Sequence, residues 1–525
     1  MPILSHSSIL SILTLISRIL GLVREMVKAS LLGTSVLSDA FSVAFLIPNL
    51  FRRLFAEGSI SAAFIPTFKE YLLEKKTEDI REFLSCTLTF LTFFVTLAVL
   101  LGILGTPFLA PVFGVKAFDE TVLLTRMMFP FLAFISVAAF FQGILNSLRI
   151  FTPSGLAPIL LNLATIGAAY AFSPFTANPA RAMAVGILLG GFLEAAVQFP
   201  FILRKGYRFF FVGLKRAVMN PGVKTVLRLI GPTIIGMAAY QLNDLVSTAL
   251  AGNAGEGVVS SLQYSLRLQE LILGVFAVSI GTVLLPDLAE YVTLAQWEQY
   301  NERLIKAINI IAFITVPITF FSLAQGELLI RLIFQNRSFG EDSVRLTLGA
   351  FTFHIPGLFF IALNRILAPA FYAQNDSKSP SLAGIISFGV NIVLALLLSA
   401  PLRGSGIALA LSLAGAVNTA LLLMFLKKNP RIAVKRALHS ALMYTLKLSL
   451  FSVLAILPVL WLSPRLLTLF AGQNRFIAYG LPLTLCAAVY GAAGVLLLFL
   501  AKDPQITGVL YILKKHSRKS KKVKK

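Results

Sequence analysis

The chain has 525 residues, of which 57% are hydrophobic and only 13% are charged, and its mean hydropathy is +0.84. In soluble globular proteins about a quarter of all residues are charged, so this composition excludes a soluble globular protein. The formal net charge of +23 does not indicate a nucleic-acid-binding protein, because the excess lies in loops between apolar segments and in the C-terminal tail, as the positive-inside rule predicts.

Apolar stretches of about 20 residues recur along the whole chain, which predicts an all-α polytopic membrane protein. Fourteen candidate helices follow one another at residues 8–32, 36–68, 84–112, 122–148, 154–174, 181–203, 224–252, 257–291, 302–325, 344–372, 380–400, 404–427, 438–463 and 474–501. Several exceed the thickness of a bilayer, so we expect tilting or short extensions into water. With an even number of spans and most basic loops on one side, both termini are predicted to be cytoplasmic.

Two short similarities indicate an internal repeat. Residues 64–71 resemble residues 284–291 at an offset of 220, and Pro153-Ser154 resembles Pro380-Ser381 at an offset of 227. A repeated unit with six helices keeps its orientation, which predicts two parallel six-helix lobes; chance similarity between apolar helices is the alternative. The predicted segments are an N-lobe (1–203), a cytoplasmic amphipathic linker (204–222), a C-lobe (223–428), two further helices (429–501) and a basic cytoplasmic tail (502–525).

The first helix carries charges inside an apolar stretch. Arg18 lies about 10 residues into this helix, which at 1.5 Å per residue is near mid-depth. Arg24 and Lys28 are four residues apart and share a helix face, so they form a positive stripe. Glu25 follows Arg18 by seven residues and can partly balance it. Such charges must face a wet or protein-lined interior rather than lipid.

The second helix carries charges of both signs. Arg53 and Glu57 are spaced i, i+4 and can pair with each other, whereas Arg52 has no acid at this spacing and is the better candidate for a ligand contact. Asp39 lies near the outer end, where it is expected to bridge to the other lobe as a gate. Buried arginines beside an apolar stretch indicate a site for an anion.

In the second lobe, Arg267 lies about 11 residues into helix eight, and Glu270 follows it one turn later. If the lobes face each other, Arg18, Arg52 and Arg267 converge at similar depths. Basic residues in these helices outnumber acids by six to four, and surplus positive charge in a low dielectric is costly unless an anionic ligand completes it. Arginine suits a phosphate, because its planar guanidinium binds two oxygens at once. The alternative is that the arginines only pair with nearby glutamates and hold the lobes together.

Other candidate sites are weaker. Asn243 and Asp244 on helix seven and Asn391 on helix eleven form a candidate sodium site, with an ordinary interhelical hydrogen bond as the alternative. Cys86 and Cys486 lie in apolar runs and are interpreted as core residues. The sequence contains no phosphate-cradling Gly-Lys-Ser/Thr loop, paired metal ligands or nucleophile elbow, which favours a transporter over an enzyme.

Three motifs carry a resemblance to a known family. Residues 39–58 (DAFSVAFLIPNLFRRLFAEG), 17–25 (SRILGLVRE) and 267–270 (RLQE) resemble the signature of the MurJ/MviN family, the bacterial lipid II flippases. The resemblance runs across nearly the whole chain. It implies membership of the multidrug/oligosaccharidyl-lipid/polysaccharide exporter superfamily, in which two six-helix lobes surround a central cavity that opens alternately to each side. It also implies a place in the bacterial inner membrane and a role in peptidoglycan synthesis.

The resemblance also implies roles for individual residues. The family's cavity arginines correspond to Arg18, Arg24, Arg52 and Arg267, its essential acid to Asp39, and an acid of its transport cycle to Glu57. Helices thirteen and fourteen are expected to form a groove for the polyprenyl tail. Some members bind sodium through acids on helices seven and eleven, and this chain departs from that pattern at Asn391.

Two rival hypotheses stay open. One is a transporter of another cargo; a cationic-drug exporter should have an acidic cavity, so a flippase for another undecaprenyl-linked saccharide is the stronger version. The other is a non-transporting membrane scaffold, which has no reason to keep unpaired cavity arginines. We expect a monomer whose partners are lipid II and membrane lipids, with other cell-wall synthesis proteins as further candidates. Sodium ion or the membrane potential is the candidate energy source, and no other cofactor is expected.

Overall fold

The computed structural model describes residues 2–53 and 60–507, and within these it describes only the backbone of residues 2–11, 60–62, 231–240 and 274–283. In this part of the chain the regular structure is helical throughout. Its α-helices are α1 (Pro2–Leu32), α2 (Val36–Arg52), α3 (Ile60–Glu74), α4 (Thr77–Leu109), α5 (Phe118–Met128), α6 (Phe131–Ser147), α7 (Thr152–Ala171), α8 (Pro179–Arg204), α9 (Leu214–Met219), α10 (Pro221–Ala254), α11 (Val258–Thr293), α12 (Trp297–Phe334), α13 (Glu341–His354), α14 (Gly357–Tyr372), α15 (Lys378–Leu426), α16 (Val434–Leu469) and α17 (Leu481–Leu500).

Many of these helices are suited to a bilayer. In the described residues, eight helical segments are long and apolar enough to cross a membrane, and one of them (Phe118–Ser147) consists of α5 and α6 together. The pair α13 and α14, bent by 46°, adds a ninth if it is one span. The prediction of an all-α polytopic membrane protein is confirmed. The total of fourteen spans stays a prediction.

Two segments predicted as single helices are interrupted, which corrects the sequence reading. The predicted helix 122–148 is divided at Pro130 into α5 and α6, and the predicted helix 344–372 is divided at Pro356 into α13 and α14. Proline has no N–H to continue the helical hydrogen-bond pattern, and its ring collides with the preceding turn. The break predicted between helices 380–400 and 404–427 is present: the backbone of Arg403 is non-helical (φ 50°, ψ −128°), so α15 consists of two helical parts that meet at a kink there.

The chain divides into two compact units. The first comprises Met1–Tyr264, Asn336–Leu346 and Ala395–Ile407. The second comprises Ser265–Gln335, Thr347–Leu394 and Ala408–Lys525. The lobes predicted from the repeat stay a prediction.

The first unit is packed through small residues and phenylalanines. A Cβ at Gly186 of α8 would lie 2.7 Å from the Cα of Thr165 on α7, so these two backbones approach closely. Phe64 of α3 packs against Phe83 of α4 and Phe140 of α6, with ring centroids 5.7 and 5.3 Å away. Helices close to the N-terminus are thereby held in one core.

In the second unit, α12 packs against α14 and α16, and α16 packs against α17. The fully buried Asp503, just after α17, accepts hydrogen bonds from Lys447 Nζ at 2.7 Å and Tyr444 Oη at 3.1 Å, both on α16. Removal of the partner of a buried carboxylate strongly destabilises a protein, because it leaves a buried charge uncompensated. These bonds therefore fix the end of α17 against α16.

The backbone of Gly252 on α10 packs closely against the backbone of Phe113. A Cβ added there would collide with the backbone carbonyl oxygen of Phe113, whereas a Cβ at Gly167 of α7 would meet no atom within 4 Å. We expect Gly252→Ala to lower the free energy of unfolding by about 1–3 kcal/mol through overpacking. Gly167→Ala is expected to raise it by up to about 1 kcal/mol, because alanine favours a helix over glycine.

Thermal unfolding of the two purified variants in the same detergent tests this pair. We expect the two thermal midpoints to move in opposite directions from that of the wild type. Midpoints that move together would contradict the close contact at Gly252.

Candidate functional site

The charged residues predicted on the first helix lie on α1, in the first unit. Arg24 Nη2 is 3.0 Å from Glu25 Oε1, and the two side chains are only 17% and 15% exposed. The guanidinium of Arg24 also lies 5.8 Å from the ring centroid of Phe45 on α2. Glu25, which the spacing assigned to Arg18, is therefore an ion-pair partner of Arg24.

Arg18 differs from Arg24 in its surroundings. Its side chain is half-buried on α1 and has no hydrogen bond or ion pair to any residue that the structure describes. The helix is held nearby by Asn162 of α7, which donates to the carbonyl oxygen of Ser17 at 3.3 Å. A half-buried guanidinium in this state is a donor available to an anionic ligand.

Lys28 joins three helices. It is 3% exposed, and its Nζ donates to Ser42 Oγ on α2 at 2.6 Å and to Gln263 Oε1 on α11 at 3.0 Å. The same Nζ lies 4.9 Å from the ring centroid of Tyr264. Neutral oxygens and an aromatic face thus stabilise this buried charge. The sequence reading placed Lys28 in a positive stripe and missed its role in tying α1 to α2 and α11.

Asp39 of α2 holds the beginning of α11. Its carboxylate is 3% exposed and accepts hydrogen bonds from Gly257 N at 2.7 Å, Ser260 N at 2.8 Å and Ser260 Oγ at 2.7 Å. Because Gly257, just before α11, has no side chain to cap the helix, Asp39 supplies the capping oxygens from another helix. Its negative charge also complements the positive end of the helix dipole.

Tyr264 adds a second link between the same helices. Its hydroxyl donates to the carbonyl oxygen of Gly33 at 3.0 Å and lies 3.3 Å from Ser38 Oγ. Its ring packs edge-on against Phe339, with centroids 5.6 Å apart. The contact of α2 with α11 is therefore a buried polar network, of which the sequence analysis singled out only Asp39 and Lys28.

The two arginines at the end of α2 have different partners. Arg52 Nε donates to Asn49 Oδ1 at 2.8 Å, a neutral partner one turn earlier. Arg53 Nη1 forms an ion pair with Asp244 Oδ2 at 3.0 Å and donates to Gln241 Oε1 at 3.3 Å, both on α10. Glu57 lies outside the described residues, so its pairing with Arg53 stays a prediction.

The candidate sodium ligands are placed as follows. Asp244 is the partner of Arg53, and Asn243 beside it is half-buried on α10. Asn391 is buried on α15 in the second unit. In the described residues, no three His, Cys, Asp or Glu side chains are grouped as metal ligands. Sodium binding stays a prediction.

Arg267 lies on α11 in the second unit and pairs with Glu270 one turn later, at 3.1 Å. Its Nε is buried and has no hydrogen-bond partner among the described residues. The helix is anchored on either side of Arg267: Ser265 Oγ is 2.7 Å from His354 Nδ1, and Gln269 Nε2 donates to the carbonyl oxygen of His354 at 2.5 Å. The sequence reading missed His354 because a lone histidine has no ligand spacing around it.

The pairing pattern divides the arginines. Arg24, Arg53 and Arg267 each have an acidic partner, and of the pairs in the ion-pair alternative the structure shows the one between Arg267 and Glu270. Arg18 has no acidic partner in the part of the chain that the structure describes. An ion pair that engages one nitrogen also leaves further N–H groups on the same guanidinium, since arginine has five. A paired arginine therefore still has N–H groups that can donate to a further acceptor.

Comparison with known proteins supplies the family context. The family model described as lipid II flippase MurJ matches residues 28–507. The probable lipid II flippase MurJ of Treponema pallidum (strain Nichols) is 44% identical over 508 residues, which cover 95% of this chain and 96% of that protein. The lipid II flippase MurJ of Burkholderia cenocepacia is 34% identical over 429 residues, covering 79% and 82%.

Solved structures show the same fold. An inward closed conformation of lipid II flippase MurJ matches with a TM-score of 0.77 at 24% identity, covering 93% of this chain and 98% of that one. An inward-facing MATE family transporter of the MOP superfamily matches with a TM-score of 0.65 at 15% identity, covering 80% and 96%. At these identities the likeness concerns the fold alone.

Proposed function

The chain belongs to the MurJ family of lipid II flippases, and we propose on this premise that it moves lipid II from the inner to the outer leaflet of the bacterial cytoplasmic membrane. Lipid II combines a polyprenyl tail, a pyrophosphate and a disaccharide that carries a peptide. The observation that carries the proposal is the half-buried Arg18 in an apolar helix, without an acidic partner in the described residues. Both termini are proposed to lie in the cytoplasm.

The pyrophosphate is proposed to bind the arginines of the cavity. Arg18 contributes a guanidinium with no competing hydrogen bond in the described part, and Arg267 contributes a buried Nε–H that lacks a partner there. Arg24 keeps N–H groups beyond the Nη2 that meets Glu25, and Arg52 completes the set. A buried donor without a partner is costly, so a phosphate oxygen that satisfies it adds to binding.

Transport is proposed to proceed by alternating access, with Asp39 as part of the outer gate. Opening the contact between α2 and α11 breaks the hydrogen bonds from Gly257 and Ser260 to Asp39. Their joint loss makes the contact behave as a switch with two states rather than a continuous hinge. The polyprenyl tail is proposed to stay in lipid along α16 and α17, where Leu446, Leu450 and Trp461 are exposed.

The membrane potential is the proposed energy source. Each elementary charge that crosses 100 mV corresponds to about 2.3 kcal/mol, so an inside-negative potential favours outward movement of two pyrophosphate charges by roughly twice that amount. Collapsing the potential at constant ion gradients is expected to slow transport strongly, measured as appearance of lipid II outside. Unchanged transport would contradict this energy source and favour a coupling ion such as sodium.

External access of lipid II in bacteria that depend on this chain as their flippase tests the function itself. Depletion of the chain is expected to stop the appearance of lipid II outside, and its return to restore it. If exposure persists on depletion, lipid II is not the cargo, and another undecaprenyl-linked saccharide takes its place. If no lipid-linked saccharide changes its exposure, the chain is a membrane scaffold and the proposal fails.

A further inference from the structure

A cavity of about 580 Å³ opens on the first unit between α4, α6, the end of α8 and the segment 205–213 that follows α8. We infer that it binds one anionic phospholipid, with an acyl chain between the phenylalanine side chains of the cavity and the phosphate on Arg208. This site goes beyond lipid II transport, because its lining includes none of the residues proposed to bind the lipid II headgroup.

The walls of the cavity are aromatic and held in place by packing. Phe141 of α6 stacks on Phe209, with ring centroids 5.9 Å apart and planes 17° apart. The ring centroid of Phe199 on α8 lies 5.7 Å from that of Phe141, and Phe211 also lines the cavity. A volume within the range of small-molecule sites, about 300–1,000 Å³, and an apolar lining suit a hydrocarbon chain.

The segment that carries Phe209 and Phe211 is fixed to α4 rather than loose. Phe210 N donates to Ser85 Oγ at 3.3 Å, and Val212 N donates to Thr89 Oγ1 at 3.1 Å. Phe209 and Phe211, which alternate with these two donors along the chain, line the cavity. Backbone hydrogen bonds to α4 therefore set the width of the cavity before any lipid enters, which lowers the ordering cost of binding.

Charge selects the class of lipid. Arg208 is exposed at the cavity and has no ion pair among the described residues. Residues 204–220 contain five lysines and arginines and no acid, and of these only Arg216 has an acidic partner, Glu82, in the described part. This is the side that the positive-inside rule assigns to the cytoplasm, where an anionic headgroup held beside Arg208 is attracted by about 1 kcal/mol. A lipid with net negative charge is therefore favoured over a zwitterionic one.

Native mass spectrometry of the purified full chain, titrated with dioleoyl phosphatidylglycerol or dioleoyl phosphatidylcholine, tests the inference. We expect preferential binding of phosphatidylglycerol, lowered about fivefold by Arg208→Gln. The matched control is Arg204→Gln, four residues earlier, which contacts Phe201 and does not line the cavity. Arg204→Gln is expected to keep the wild-type affinity.

A second variant tests the apolar part of the site. Thr92 lines the cavity, and Thr92→Trp is expected to fill it and remove one bound lipid while the thermal midpoint stays near that of the wild type. Equal binding of the two lipids, equal effects of Arg208→Gln and Arg204→Gln, or unchanged stoichiometry in a folded Thr92→Trp variant would overturn the inference. A dimer that Thr92→Trp abolishes would assign the cavity to a second copy of the chain and overturn it too. None of these readouts requires transport, so the inference and the proposed function fail separately.

Discussion

Asp39→Ala is expected to lower the rate of lipid II transport by about a hundredfold while the protein stays folded in the membrane. The carboxylate accepts three hydrogen bonds, from two backbone N–H groups and the hydroxyl of Ser260, and all of them are buried. Hydrogen bonds to a charged group contribute about 1.5–3 kcal/mol each. Loss of only about 3 kcal/mol from one conformation changes its population relative to the alternative by about a hundredfold.

The matched control for Asp39→Ala is Asp342→Ala. Asp342 also accepts a hydrogen bond from a neighbouring side chain, but its own side chain is 88% exposed. We expect transport by Asp342→Ala at the wild-type rate. Equal rates for the two variants in the external-access assay would mean that the contact of α2 with α11 has no part in the transport cycle.

Arg18→Ala is expected to weaken lipid II binding by about tenfold to a hundredfold. A guanidinium that binds a phosphate makes charge-assisted hydrogen bonds of about 1.5–3 kcal/mol, and the described part of the chain offers Arg18 no other partner to replace them. Arg18→Lys should retain only part of the affinity, because an ammonium is a point charge without the planar fork.

Titration of purified variants with lipid II measures this effect, and Arg345→Ala supplies the control because Arg345 is 81% exposed and paired with Asp342. We expect the wild type and Arg345→Ala to bind lipid II with equal and highest affinity. Arg18→Lys should bind more weakly, and Arg18→Ala most weakly. Wild-type affinity in Arg18→Ala would remove Arg18 from the binding site.

The fold class could be predicted because it depends on a local property of the sequence, the length of its apolar stretches. Apolar stretches of membrane length predict helices, and the structure confirms them. The interruptions at Pro130 and Pro356 were missed because hydropathy averages over a window, whereas the effect of a proline on backbone hydrogen bonds is confined to one turn.

Only part of the site could be predicted. A charged residue in an apolar helix is easily recognised in the sequence, whereas the distant residues that bind it are not. Asp39 is conspicuous in an apolar helix, but Ser260, its partner 221 residues later, resembles every other serine in such helices. For Arg53, the i, i+4 spacing pointed to Glu57, while the structure places Asp244, 191 residues away, within 3.0 Å. Tertiary contacts between such distant residues produce no periodic pattern in the sequence.

Flipping by the purified chain is the most direct measurement of the central claim. The chain is reconstituted into liposomes that contain fluorescent lipid II, and the fraction of lipid II accessible to an external quencher is followed over time under an imposed membrane potential. We predict rapid exchange with the wild type and with Arg345→Ala, and exchange near the protein-free rate with Arg18→Ala and Asp39→Ala. Protein-free rates for all four chains, or equal rapid rates for all four, would contradict the account.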